Sequence, residues 1–125
     1  MEPVSLSAML ACFTEHWQPK KIAGLNDYDI KIVKVLGEFT WHTHPETDEF
    51  FLVISGELTI QLRTGNVLLG PGELFVVPRG TEHCPQASAE TAVMLIEPRG
   101  VVNTGDAGGH LTAELEDLTG SGLDR

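Results

Sequence analysis

Apolar and polar positions along this chain alternate over short distances. Between residues 20 and 98 the apolar runs are short and β-rich: KKIAGL, YDIKIVKVL, FTWHTH, EFFLVIS, ELTIQLR, NVLLG, ELFVVP, EHCPQA and AVMLIEP. Gly, Pro and Asn separate them, as in SGE, RTGN and GPGE, which is turn chemistry. Many short strands with turn residues between them predict an all-β sandwich or barrel. ELTIQL alternates strictly, with Leu58, Ile60 and Leu62 on one face and Glu57, Thr59 and Gln61 on the other; such a strand has one wet face. FFLVI and LFVV are apolar at every position, so both of their faces need cover.

The spacing changes before residue 20. Leu6, Met9, Leu10, Phe13 and Trp17 fall on one helical stripe, which predicts a helix over about 5–17. Ser5 or Ser7 would cap it and Pro19 would end it. The last stretch, from about 104 to 125, is Gly-rich and polar. It reads as a flexible arm with at most one short element at 111–118, where three leucines are helically spaced. No repeat or second composition zone divides the 125 residues, so the expectation is one domain with a barrel core over about 20–103.

Charge narrows the partners. Eighteen Asp and Glu against eight Lys and Arg give a formal net charge of −10, which repels nucleic acid and anionic membrane surfaces. No apolar run approaches the roughly 20 residues needed to span a bilayer. The N-terminal segment has Glu2 and no early Lys or Arg, a poor match to a signal peptide, and two cysteines are too few for a disulfide framework. The expected setting is cytoplasmic.

One polar cluster interrupts the apolar pattern. His42 and His44 are two apart in an extended segment, so both rings point to one face. Glu49 opens the next strand on the same side as Phe51 and Val53. A carboxylate with apolar neighbours is costly to bury unless it is paired or bound to a cation. His83 follows 34 residues later, after the turn PRG. Imidazole is the commonest neutral metal ligand. Trp41 and Cys84 alternate with the histidines and should face away, whereas Thr40 shares their face. His16 and His110 lie outside the cluster.

Gly37, His42, His44, Glu49 and Gly56 resemble the first cupin motif, G-x5-H-x-H-x3–4-E-x6-G. Gly72, Pro78, Gly80 and His83 resemble the second, G-x5-P-x-G-x2-H. The resemblance covers about residues 30–106. Two departures touch no ligand: four residues, not five, intervene between Gly37 and His42, and Ala87 stands where the second motif usually has Asn. The resemblance implies a double-stranded β-helix, or jelly-roll barrel, with the metal ligands His42, His44, Glu49 and His83. It also implies a small stand-alone bacterial cupin, of the kind often described as mannose-6-phosphate-isomerase-like, and a homodimer.

Three imidazoles and a carboxylate suit Fe, Mn, Ni, Zn or Cu, and ligand type alone does not choose among them. The expected function is a metal-dependent enzyme acting on a small oxygenated organic molecule, of dioxygenase or sugar/keto isomerase type. The alternative is a non-catalytic module that binds a small ligand or metal. Few cations are available for a sugar phosphate: Arg63 should face out, Arg79 is the best anchor, and Lys31 or Lys34 are further candidates. The pocket is expected to be apolar, walled by Phe51, Val53 and Phe75 or Val76. No residue is assigned a catalytic role.

Overall fold

The structure, a computed structural model, describes residues 1–120. Its elements are α1 (Leu6–Leu10), β1 (Lys20–Leu25), β2 (Tyr28–Glu38), β3 (Glu49–Ser55), β4 (Leu58–Leu62), β5 (Gly65–Leu69), β6 (Leu74–Val77), β7 (His83–Pro98) and β8 (Glu116–Asp117). The architecture is the expected jelly roll, nearly all β with one short helix.

β2 and β7 form its spine, antiparallel from Tyr28↔Pro98 to Glu38↔Gln86. EHCPQA and AVMLIEP, separate runs in the sequence, are one continuous strand, because SAET between them stays in the strand, exposing Ser88, Ala89 and Glu90 while Thr91 is buried. The other edge of β7 is shared. Its C-terminal half pairs with β3, from Phe50↔Ile96 to Ser55↔Ala92. Its N-terminal half pairs with β4, from Thr59↔Gln86 to Leu62↔His83. The hand-over takes place at Gly56, which has φ +88°. A Cβ there would lie 2.4 Å from Thr91 Oγ1, so only glycine lets the chain cross β7 this closely. Thr91 Oγ1 closes the crossing by accepting from Glu57 N at 3.1 Å.

FTWHTH is not a strand of the sheet. Its backbone is satisfied by three partners in turn: His42 exchanges both bonds with His83 (3.0 Å each), Thr43 O accepts from Asp106 N (3.1 Å), and His44 O accepts from Gly80 N (3.0 Å). The extended backbone still sends His42 and His44 to the same side, which is all the period-2 argument needs.

Two cores share the sheet. The inner one joins Val33, Val35, Phe51, Val53, Leu58, Ile60, Val93 and Leu95 inside the barrel. The outer one packs Met9 and Phe13 on Ile22 and Ile32, with Leu118 beside them. The N-terminal stripe serves both, and this is why the helix is shorter than the expected 5–17. It spans Leu6–Leu10, with Ser5 Oγ accepting from Ala8 N at 3.2 Å. The chain then turns so that Trp17, at φ +62°, leaves the stripe. Trp17 N donates to Lys34 O at 2.8 Å, and its ring stacks on Phe39 at 4.6 Å, against the inner core. A continuous helix would have held Trp17 on the same side as Met9.

The segment 111–118 is not helical. It ends in β8, which runs parallel to β1 in the register Lys20↔Glu116 and Lys21↔Asp117. The chain thus covers part of its own β1 edge. Leu118 is buried, and its N donates to Lys21 O at 2.8 Å. Residues 121–125 of the expected arm lie outside the described residues.

Candidate metal centre

His42, His44, Glu49 and His83 converge inside the barrel, with their candidate ligand atoms all within 4.8 Å of one another. All four are buried. Three imidazole nitrogens face one carboxylate oxygen, Glu49 Oε1: His83 Nε2 at 2.7 Å, His44 Nε2 at 3.4 Å and His42 Nε2 at 3.9 Å.

The far sides of two rings fix their tautomers. His42 Nδ1 lies 2.8 Å from Thr40 O, and His83 Nδ1 lies 2.8 Å from Thr81 O. A carbonyl oxygen only accepts, so each Nδ1 carries the proton and donates it. In the neutral ring Nε2 is then a bare lone pair aimed at the cluster. At His83 that lone pair faces a carboxylate oxygen at 2.7 Å. Two acceptors that close need a cation between them or a proton on one of them. His44 Nε2 is buried without a hydrogen-bond partner among the described residues. The cluster is compatible with a metal site: three neutral imidazoles and one anionic oxygen are a donor set for a divalent transition metal.

The electrostatics of the metal-free cluster differ from residue to residue. Burial, then the neighbouring His83, lowers the pKa of His42 to about 4, so this ring is neutral at pH 7. Burial pushes the Glu49 carboxyl up, but the neighbouring His44 and His83 rings outweigh it and hold the group at about 2. Glu49 is therefore ionised. Burial works to lower His44, yet the Glu49 carboxylate overcomes it and raises the ring above 6.5.

The walls are apolar, but they are not all those expected. Phe51 lines the cavity beside the cluster, together with Val33, Val35, Trp17 and Phe39. Val76 instead lies on the outside, 44% exposed, and Phe75 packs against the barrel core without lining the cavity. The cavity itself is about 40 Å³, near the roughly 30 Å³ share of a liquid water. A cleft of about 370 Å³ lies next to it, between the barrel end and residues 100–115, and Pro19 and Asn103 border both spaces.

Several sequence candidates stand elsewhere. Arg79, the expected anion anchor, is exposed and pairs with Asp48 at 3.2 Å. Arg63 faces out, paired with Glu82 and 3.6 Å over the Trp41 ring, so an arginine covers Trp41. Thr40 contributes its carbonyl, while its side chain does not line the cavity. Cys84 is buried, and burial above all raises its thiol to about 11; it is inert packing. Lys34 Nζ donates to Phe13 O at 2.6 Å and is committed there. Lys31 is buried and pairs with Glu97.

Two residues at the site gave no local signal. Glu97 lines the cavity from the end of an apolar run. Asp106 grips the histidine segment: its Oδ1 accepts from Thr43 N at 2.8 Å, while its own N donates to Thr43 O at 3.1 Å. Gly105 comes so near that a Cβ would lie 2.3 Å from Thr43 O.

Comparison with known proteins accords with this geometry. The Cupin domain family matches residues 31–98. A cupin-2 domain containing protein from Shewanella frigidimarina is 47% identical, with a TM-score of 0.76 over 77% of this chain and 94% of that one. The uncharacterized protein YdbB of Bacillus subtilis is 31% identical over 77 residues, 61% of this chain and 68% of its own length. Hydroquinone 1,2-dioxygenase from Sphingomonas sp., solved with 4-hydroxybenzoate bound, shares the fold at 17% identity, with a TM-score of 0.60 over 71% of this chain and 69% of that one. With 31–98 matched and the jelly roll in place, this chain belongs to the cupin family.

Proposed function

We propose that this cupin is a metal-dependent enzyme acting on a small, weakly charged, oxygenated organic molecule, of dioxygenase or sugar/keto isomerase type. His42, His44 and His83 through Nε2, and Glu49 through Oε1, would hold a divalent transition metal: Fe, Mn, Ni, Zn or Cu. One observation carries the reading: two rings locked by backbone carbonyls aim bare nitrogens at one ionised carboxylate oxygen in a buried site. Such a metal, when bound, polarises an oxygen of the substrate or binds dioxygen. The protein supplies fixed ring orientations, an apolar wall that excludes water and, among the described residues, no free surface arginine at the site. The last point disfavours a sugar phosphate, since Arg63 and Arg79 are both paired on the outside. A hydroquinone dioxygenase on the same fold supports the substrate class by analogy only.

The second reading, a non-catalytic ligand or metal module, draws on the small volume of the inner cavity. Metal analysis of protein purified without an affinity tag, followed by oxygen uptake against catechols, enols and keto acids, separates the two. Stoichiometric metal with turnover supports the enzyme; metal without turnover on any panel member supports the module; no metal overturns the enzyme and leaves only a ligand-binding module.

We also infer a homodimer in a reducing, cytoplasmic setting. Its surface would be the outer sheet face, where the ladder sets Val76, Phe50 and Ile96 in one row and Leu74, Leu52 and Met94 in the next, beside the part that Met9 and Phe13 already cover. Leu74 and Val76 are 55% and 44% exposed. Two adjoining apolar rows across three strands need cover, and a second copy supplies the same surface by symmetry.

A further inference from the structure

Glu97 occupies a position that its sequence context does not announce. It lies directly opposite Asp29 in the β2–β7 ladder. It also lies one step beyond Phe50↔Ile96 in the β3–β7 ladder, which sets it across from Glu49. Three carboxylates thus stand in a row on neighbouring strands. Asp29 has Lys21 at 3.1 Å, and Glu97 has Lys31 at 2.9 Å. Glu49 faces the histidine cluster instead of a lysine.

The Lys31–Glu97 pair is uneven. Both residues are only 2% exposed. Lys31 Nζ donates to Glu97 Oε1, but Glu97 Oε2 is buried with no partner among the described residues. A buried carboxylate oxygen left unpaired is costly. Glu97 lines the same cavity as His42 and Glu49, whereas Lys31 lines the adjoining cleft of about 370 Å³. The pair therefore stands between the space that has room for the body of a ligand and the space beside the cluster. A purely structural ion pair would not need its second oxygen left without a donor.

We propose that Glu97 is the substrate-orienting residue of this site: Lys31 fixes one oxygen, and the free oxygen accepts a hydrogen bond from a hydroxyl group of a ligand held beside His42, His44, Glu49 and His83. The favoured ligand is a hydroxy-carbonyl compound or a diol, and its O-methylated analogue is rejected because it brings no donor. This rests on the reading of the cluster as a metal centre.

Glu97→Gln makes a sharp test. The glutamine oxygen takes the side facing Lys31, which only donates, so its NH2 faces the cavity. The acceptor becomes a donor with almost no change in shape. Hydroxyacetone and methoxyacetone are titrated calorimetrically into the Ni²⁺-loaded wild type and variant, with metal content measured on each. The wild type should prefer hydroxyacetone by roughly tenfold, the scale of one charge-assisted hydrogen bond. In Glu97→Gln the preference should fall to within about twofold while metal stoichiometry is unchanged. If the single variant misfolds, Lys31→Met/Glu97→Gln removes the unbalanced lysine, and the same loss of preference is expected. Equal preference in wild type and variant overturns the proposal, as does a wild type that binds neither compound. Loss of metal from folded Glu97→Gln also overturns it, making Glu97 a ligand. A wild type that takes up no metal refutes the metal centre itself, which separates that failure from this one.

Discussion

Asp106 and Thr43 are joined by two hydrogen bonds across 63 residues of sequence: Asp106 N donates to Thr43 O at 3.1 Å, and Thr43 N donates to Asp106 Oδ1 at 2.8 Å. Thr43 sits between His42 and His44, so the C-terminal arm holds the segment that aims two of the three imidazoles. Asp106→Ala should leave the fold intact and weaken metal binding by roughly tenfold, the usual scale for a residue that orients a ligand. Competition against a metallochromic chelator measures it; an unchanged affinity would show that the segment needs no grip.

Gly105→Ala should be worse than Asp106→Ala. The new Cβ would lie 2.3 Å from Thr43 O, at a backbone φ of +55°. Backbone on both sides must move, so a loss of about 2 kcal/mol or more in stability is expected, with metal affinity falling as well. Urea titration of the metal-free protein reads the first effect apart from the second.

Replacing any one of the four cluster residues should remove most of the metal while circular dichroism keeps its β signature, since the inner core does not include them. His83→Ala has a further expected effect on the metal-free protein. It leaves the buried Glu49 oxygen without its shortest partner, which costs about 1–3 kcal/mol. His42→Ala, at 3.9 Å from the same oxygen, should cost less.

The metal-free protein should lose stability on acidification, beginning near pH 6.5. Burial holds folded His42 at about 4 against an ordinary 6.5. Between those values the unfolded chain takes up a proton there and the folded one does not, so stability falls as pH falls, by on the order of 3 kcal/mol. Glu49, held at about 2 against 4.5, acts the same way at lower pH: its contribution is present above 4.5 and lost towards 2. His44 is raised and acts oppositely, its contribution being full below 6.5 and lost as pH rises through the folded value. His42→Gln should flatten the slope between about pH 6.5 and 5. A denaturation midpoint that is level across that window in the wild type would contradict the prediction.

Leu74→Glu with Val76→Glu should halve the mass measured by light scattering, from twice the 13.6-kDa chain to the chain alone. Both residues are exposed on the outer face, so the fold should survive. A single-chain mass for the wild type would refute the dimer.

What could be read from the sequence follows the range of the physical signal. Strand faces were legible at ELTIQL and around Glu49, where period 2 and burial coincide. The cluster was legible because His42, His44 and Glu49 are close in sequence and His83 stands at a fixed offset from a turn. Trp17 misled: its spacing fits a helical stripe, yet its ring is drawn to the barrel by Phe39 and its backbone by Lys34. FTWHTH misled because extended backbone was taken for a strand, when its bonds go to three separate segments. Asp106 and Glu97 left no local trace, because their roles exist only once distant strands and the arm are in place. Lys31 could be named as a candidate near the site, but its partner could not.

The grip of the arm on Thr43 sets where this protein can be cut. The family match ends at residue 98 and contains every side chain of the histidine cluster. A chain trimmed to that boundary would keep the recognisable motif and discard Asn103, Gly105 and Asp106, along with the strand that covers β1. It would carry the right ligands on a segment free to sway, and the cleft beside them would be missing one wall. Here the smallest piece that sequence comparison recognises is smaller than the smallest piece that can be expected to work.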